Sequence, residues 1–171
     1  FRSLPLARPE NFVFGGHEIR PVDLVQSAEE FARANGVLTP EILEAARDGL
    51  VSATENLRPG ITLNNVKAVQ KIHSASPKTD RLPLVEIVAV LKKDLREFQK
   101  KNRVDDVIVV NLASAEPDFE ATREYGRLES YRAMQAEDRR ELFPASVLYA
   151  QAAMECGFPY INFTSSLGSS S

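Results

Sequence analysis

Apolar residues recur every three to four positions in several segments of the chain, which predicts amphipathic helices. Two of these segments lie in the first third, one between Pro21 and the pair Asn35-Gly36, the other after the cap sequence Thr39-Pro40-Glu41. Their predicted buried faces are Leu24, Val25, Ala28, Phe31 and Ala32 in the first helix, and Ile42, Leu43, Ala46, Leu50 and Val51 in the second. We expect both helices to be structural.

Three more helical segments follow in the second half of the chain. The clearest ends near Asn102, and its face carries Leu84, Ile87, Val88, Leu91, Leu95 and Phe98. The charged stretch 119–140 predicts one or two surface helices, with Tyr125, Leu128, Tyr131 and Met134 as their apolar side. The last helix is opened by Pro144-Ala145-Ser146 and closed by Gly157, and its face carries Val147, Leu148, Ala152 and Met154.

Three short apolar segments are typical of strands. The first, Phe12-Val13-Phe14, stops at the pair Gly15-Gly16, and the last runs from Pro159 to Phe163. Between them, four β-branched residues stand in a row from Val107 to Val110. Such a continuous run predicts a strand buried on both faces of a parallel sheet, with helices on each side. The fold class is therefore α/β.

Small and polar residues follow two of these strands. Asn111, Ala113, Ser114 and Ala115 come after the central strand, and Thr164, Ser165 and Ser166 come after the last one. A core strand followed by a polar loop is the simpler interpretation of the central stretch alone. Because parallel strands end at the same edge of a sheet, where α/β proteins bind ligands, two such ends favour a ligand cleft.

Other candidate residues carry weaker signals. Glu18, after the glycine pair, is placed to accept hydrogen bonds from sugar hydroxyls, although a solvated turn carboxylate is the favoured alternative. The segment from Ile61 to Arg81, after the turn Arg58-Pro59-Gly60, has a positive excess that suits a phosphate, with a mobile solvated loop as the favoured alternative. His17 and His73 belong to no cluster with metal-ligand spacing, so no metal site is predicted.

Composition excludes several classes of protein. The net charge of -3 gives no basic surface for nucleic acid, and no apolar run approaches the length of a membrane span. Cys156 is the only cysteine, so it forms no intramolecular disulfide, and we interpret it as a small buried hydrophobe in a reducing, cytoplasmic protein. The amino end lacks the features of a signal peptide. Both ends read as internal sequence, which predicts a fragment of a longer polypeptide.

Four motifs in order resemble one enzyme family. They are Phe14-Gly15-Gly16-His17-Glu18-Ile19, the central Val110-Asn111-Leu112-Ala113-Ser114-Ala115-Glu116-Pro117, the segment from Phe143 to Ala150, and the segment from Pro159 to Thr164. Together they resemble the myo-inositol-1-phosphate synthases, and the bacterial branch in particular. The resemblance covers about residues 10 to 168.

The resemblance implies a Rossmann-like parallel sheet with helices on both faces, forming part of an NAD-binding domain across residues 1–171. It implies an NAD-dependent isomerase that converts glucose 6-phosphate to inositol 3-phosphate, the first step of inositol and inositol-phospholipid biosynthesis. The family is tetrameric, so a homo-oligomer is expected. In the family, NAD oxidises the sugar phosphate and is regenerated after an intramolecular aldol step, with no net redox change.

The same resemblance implies a set of cofactor-binding residues. Glu18 matches an acidic residue that contacts the adenosine ribose, and Ser146 matches a serine at a helix start. Two loops run along the dinucleotide, and their matching residues are Leu112, Ala113, Ser114 and Ala115 in one, and Phe163 and Thr164 in the other. No catalytic residue is assigned, since the family's catalytic lysines fall in the region that would follow Ser171.

This sequence also departs from the family pattern. Glu18 stands where aspartate is more common, and Ser165 stands where a proline is usual. The glycine-rich phosphate turn would precede Phe1, and with the lysines also outside it, the chain alone is expected to be inactive and to bind NAD weakly. A non-catalytic nucleotide-binding or subunit-assembly domain remains an alternative. Another NAD-linked oxidoreductase is less favoured, because no His/Asp pair for hydride transfer is visible.

Overall fold

A computed structural model describes residues 7–63, 78–113, 116–117 and 123–166 of the protein. The chain divides into two compact units, and each is described by itself. The first unit contains Phe1–Glu18 and Val22–Arg58, and the second contains Ile19–Pro21 and Pro59–Ser171.

Two helices form most of the first unit, at the positions that the sequence predicts. Helix α1 spans Leu24–Asn35 and helix α2 spans Pro40–Glu55. The carboxylate of Asp23 caps α1 by accepting hydrogen bonds from two backbone N–H groups, and Gly36 ends the helix at a φ of 64°. Thr39 caps α2 as predicted, through its hydroxyl.

The apolar faces of these two helices are less buried than predicted. Phe31, Ile42 and Val51 are 52%, 49% and 45% exposed, and Ala53 is the only buried residue of either helix. The prediction of buried stripes is therefore wrong for much of this unit. A wide apolar helix face needs a second layer to cover it, and two helices with one small sheet do not supply that layer.

The first strand begins later than the sequence pattern predicts. Strand β1 spans Gly16–Glu18 and pairs with strand β2, which spans Leu57–Pro59 where a turn was expected. The Phe14 carbonyl accepts a hydrogen bond from the side chain of Asn56, not from a strand. The apolar triplet from Phe12 to Phe14 is therefore exposed and lies outside the strand.

In the part of the second unit that the structure describes, there are three α-helices and a pair of parallel strands. In chain order these are α3 (Leu84–Asn102), β3 (Val109–Asn111), α4 (Leu128–Ala136), α5 (Ala145–Glu155) and β4 (Tyr160–Asn162). The register aligns Val109 with Tyr160, Val110 with Ile161, and Asn111 with Asn162. This parallel pairing, joined through intervening helices, confirms the predicted α/β class.

Helices α3 and α5 pack against each other to form the main core. The largest fully buried side chains are Phe143, Leu84, Ile87, Leu91 and Leu148. Each such side chain contributes about 1.5–3 kcal/mol by leaving water. The predicted face of α3 is confirmed, and α5 is buried nearly all round, although Met154 is 58% exposed.

The β3–β4 sheet is covered on one side by helices of the described part of the chain. Val109 and Tyr160 pack on that side against a second core cluster, which contains the buried Cys156. On the other side, Val110 and Ile161 are each 42% exposed. The prediction that this strand is buried on both faces is wrong for the described residues, because their helices pack on a single side.

The segment from Ile61 to Arg81 is ordered where the structure describes it. Ile61, Thr62 and Leu63 are buried, and the carboxylate of Asp80 accepts hydrogen bonds from the N–H and hydroxyl groups of Thr62. The prediction of a solvated loop is wrong at these ends, because this polar pair anchors them. Residues 64–77 lie outside the described residues.

The start of α3 is held by a side chain from another element. Asp138 Oδ1 accepts a hydrogen bond of 2.8 Å from the N–H of Leu84, and its Oδ2 accepts one of 2.9 Å from Arg140 Nε. Partial burial by itself raises the pKa of Asp138, but these two donors and the charge of Arg140 outweigh it and lower that pKa. The carboxylate form, which caps α3, is thereby favoured.

Among the described residues, no helix combines the length and the apolar character that crossing a membrane requires.

Candidate functional site

Two asparagines meet at the carboxyl ends of the parallel strands. Asn111 ends β3 and Asn162 ends β4, and they are partners in the register. The side-chain amide of Asn111 donates to Asn162 Oδ1 over 3.1 Å and to Thr164 Oγ1 over 3.4 Å. This pair joins the two strand ends at the edge where α/β folds bind ligands, so it marks the candidate site.

Each asparagine also shapes the loop that follows its own strand. Asn111 Oδ1 accepts a hydrogen bond from the N–H of Ala113 over 3.2 Å. Asn162 Oδ1 accepts from the N–H and the hydroxyl of Thr164 over 3.3 Å and 2.9 Å, and its amide donates to the carbonyl of Ser166 over 2.8 Å. Such short-range bonds from a side chain to its own loop fix the direction in which the backbone leaves a strand.

Glu116 links these loops to helix α5. Its N–H donates to Ser166 Oγ over 2.9 Å, and its carboxylate Oε1 accepts from the N–H of Ser146 over 3.1 Å. Ser146 is the second residue of α5 and is 5% exposed. The loop after β3, the loop after β4 and the amino end of α5 therefore meet at Glu116, the first two through its backbone N–H and the helix through its carboxylate.

Tyr160 adds a neutral hydroxyl beneath this edge. Its hydroxyl donates to the carbonyl of Ser146 over 3.4 Å. Burial raises the pKa of Tyr160 to about 12, a hydrogen bond with Asn111 opposes this rise, and the charge of Glu116 adds to it. The phenol is therefore protonated throughout the neutral range and acts as a hydrogen-bond donor.

The outer rim of the site is apolar and open. Leu112 and Phe163, each directly after one of the paired asparagines, are 75% and 72% exposed. Ala113 is exposed beside them. Polar groups surrounded by exposed apolar side chains are typical of sites for organic ligands, where a few hydrogen-bonding groups fix the orientation of the ligand.

The structure brings five of the predicted site residues to this edge: Leu112, Ala113, Ser146, Phe163 and Thr164. Ser114 and Ala115 lie outside the described residues. Glu18 belongs to the first unit, at the end of β1.

The sequence assigned no role to two residues of the site, Asn162 and Glu116, and predicted Asn111 only as one of the polar residues that follow the central strand. A signal for the two asparagines is present, since each is the polar residue between a β-branched residue and a large apolar one, in Val110-Asn111-Leu112 and Ile161-Asn162-Phe163. Glu116 has no such local signal, because both of its partners are distant in the chain.

No group of three or more His, Cys, Asp or Glu side chains in the described ranges is arranged to hold a metal ion. The donors and acceptors at the edge are amides, hydroxyls and one carboxylate, which suit hydroxyl and amide groups of an organic ligand.

Comparisons with known proteins agree on one family. The family model described as myo-inositol-1-phosphate synthase, which represents the NAD-binding part, matches residues 2–170. Inositol-3-phosphate synthase isozyme 2 of Arabidopsis thaliana is 31% identical over 173 residues, covering 95% of this chain and 31% of that protein. A bacterial relative, inositol-3-phosphate synthase 1 of Bacteroides thetaiotaomicron, is 27% identical over 158 residues, covering 92% of this chain and 35% of its own length.

A solved structure shows the same fold. The crystal structure of inositol-3-phosphate synthase from Caenorhabditis elegans superimposes with a TM-score of 0.76 at 19% identity, over 96% of this chain and 31% of that one. The agreement supports a Rossmann-like fold. The chain spans about a third of the length of the relatives that it matches.

Proposed function

Because this chain belongs to the myo-inositol-1-phosphate synthase family, we propose that it supplies part of the NAD site of an inositol-3-phosphate synthase. The reaction converts glucose 6-phosphate to 1D-myo-inositol 3-phosphate, and we assign it to the whole polypeptide, of which residues 1–171 form part of the NAD-binding domain. The same proposal includes a cytoplasmic, homo-oligomeric enzyme. NAD is the cofactor of the matched family domain.

The residues at the strand ends fit a dinucleotide. Leu112 and Ala113, which follow Asn111, are both exposed, so an organic ligand can approach this part of the loop. One oxygen of Glu116, Oε2, is buried and accepts no hydrogen bond from the described residues. An acceptor of this kind, close to a predicted cofactor loop, suits a site whose ligands carry amide and hydroxyl donors.

We assign the binding roles as follows. The loop residues Leu112, Ala113, Ser114 and Ala115 lie along the cofactor, and Ser146, Phe163 and Thr164 flank it. Glu18 accepts hydrogen bonds from hydroxyls of the adenosine ribose. These residues would hold NAD, and the chemistry that a bound NAD would supply is reversible hydride transfer with the sugar phosphate, with no net oxidation.

The chain's own residues orient the cofactor and exclude water. The Asn111–Asn162 pair fixes both loops, so the backbone groups that face the ligand are already in place before it binds. The apolar side chains of Leu112 and Phe163 stand at the rim, where a bound dinucleotide would cover them. Covering them would keep bulk water from the ligand.

One observation carries the proposal most directly: the parallel register that sets Asn111 beside Asn162 and so joins two polar strand ends into one edge. Calorimetric titration of the chain with NAD tests it. We expect saturable binding at one site per chain, with weaker binding of nicotinamide mononucleotide, which lacks the adenosine half. Absence of saturation at millimolar NAD would contradict an NAD site in this chain.

A further inference from the structure

Helix α5 does not cap its own amino end. The residue at the cap position is Pro144, which has no side-chain acceptor, and no side chain at that position makes a capping hydrogen bond. The first N–H groups of a helix have no partner within the helix, so the acceptor must come from elsewhere. It is supplied by Glu116, thirty residues earlier, whose Oε1 accepts from the N–H of Ser146.

The charge of Glu116 suits this position. The amino end of a helix carries a partial positive charge, and a carboxylate placed there is more strongly held than a neutral acceptor. The carboxylate of Glu116 lies at the amino end of α5. Among the described residues, it forms no ion pair with a Lys or Arg side chain.

The same residue also holds the loop after β4. The backbone N–H of Glu116 donates to Ser166 Oγ, and the N–H of Ser166 donates to Thr164 Oγ1 over 3.1 Å. Ser166 is 8% exposed, so these bonds are shielded from water. The conformation of both loops is thus tied to the bond between Glu116 and α5.

We propose that Glu116 is a positioning residue for the cofactor. It does not need to touch the ligand: by binding the amino end of α5 while its backbone holds Ser166, it fixes the end of the loop after β3 relative to α5 and to the loop after β4. This inference rests on the proposed NAD site and adds to it a residue that aligns three separate segments.

The variant Glu116→Gln tests the inference, because glutamine keeps the size and one acceptor oxygen but removes the charge. We expect NAD to bind about fivefold to tenfold more weakly by calorimetry, since charge-assisted hydrogen bonds are about twice as strong as neutral ones. Amide hydrogen exchange, measured without ligand, should be faster at Ala113 and Ser146 than in the unaltered chain.

Glu155→Gln is the matched control. Glu155 is the last residue of α5, the helix whose amino end is bound by Glu116, and it makes an ion pair of 2.6 Å with Lys92. Its loss is expected to lower thermal stability while leaving NAD affinity and exchange at Ala113 unchanged. A merely structural role of Glu116 would make both variants behave alike.

The outcomes separate this inference from the proposed function. If the unaltered chain binds NAD and Glu116→Gln binds it equally well, the positioning role is overturned. If the unaltered chain does not bind NAD, the proposed site fails. In that case exchange without ligand still tests the coupling between Glu116 and the two loops, and unchanged exchange at Ala113 and Ser146 in Glu116→Gln would overturn it. Should Glu116→Gln not fold, Glu116→Asp is measured in its place, because it keeps the charge and loses only reach.

Discussion

At the scale of single residues, Asn162 uses both ends of its side-chain amide. Its oxygen accepts from Asn111 and from Thr164, and its nitrogen donates to the carbonyl of Ser166. Only a side chain with a donor and an acceptor at this distance from the backbone fills both roles. The loop after β4 therefore depends on an amide at this position.

The variant Asn162→Asp isolates the donor half of that amide. Aspartate keeps the acceptor but sets a charged oxygen against the carbonyl of Ser166, so we expect the free energy of unfolding to fall by about 1–3 kcal/mol at pH 7. Urea denaturation measures the loss. The carbonyl of Ser166 disfavours the charged form and so raises the pKa of the new aspartate, so the loss should shrink as the pH falls from 7 and should be gone below about pH 4, where the protonated aspartate donates again.

Asn11→Asp, at an exposed position, is the control and should change stability by less than about 0.5 kcal/mol. An Asn162→Asp chain as stable as its parent at pH 7 would mean that the bond to Ser166 does not hold this loop.

At the scale of elements, the ends of helix α5 are set by different means. Its amino end depends on Glu116 from another segment, whereas its carboxyl end is closed locally by Gly157, at a φ of 75°. A residue with a side chain is strained in that left-handed conformation. The carboxyl end of α5 is therefore specified by one glycine.

The variant Gly157→Ala measures how much this glycine contributes to the stability of the protein. The added Cβ meets no atom within 4 Å, so the effect comes from the backbone alone. We expect a loss of about 1–2 kcal/mol in the free energy of unfolding, measured by urea denaturation. Gly49→Ala is the matched control: the site in α2 is equally open and its φ is not positive, so alanine should stabilise that helix by about 0.5–1 kcal/mol.

The same contrast explains which elements the sequence predicts well. Helix ends such as those at Thr39, Gly36 and Gly157 are marked by residues next to them, and the structure confirms them. Strand β1 was misplaced, because a strand begins where a partner is available, and the partner of Gly16 lies forty residues away at Asn56. Pairing over that distance leaves no mark in a local pattern.

At the scale of the whole molecule, one side of the β3–β4 sheet carries a row of exposed apolar side chains: Ile108, Val110, Leu112, Ile161 and Phe163. The run of four β-branched residues predicted a strand buried on both sides. Only one of those sides is covered within the described residues, since burial depends on what packs against a strand and not on its own sequence.

The candidate site was predictable only where local sequence signals mark it. The sequence placed two polar strand ends at one edge, and the parallel register bears this out for Asn111 and Thr164. It did not reveal the role of Glu116, whose contacts with Ser146 and Ser166 span thirty and fifty residues. The cofactor roles of the predicted residues remain predictions.

Amide hydrogen exchange with and without saturating NAD tests the central claim, that the joined ends of β3 and β4 form a wall of the dinucleotide site. We predict slower exchange on NAD binding in the segments 111–116 and 163–166, and unchanged exchange in the middle of α2. Protection confined to α2 or other segments, with 111–116 and 163–166 unaffected at saturation, would contradict the claim.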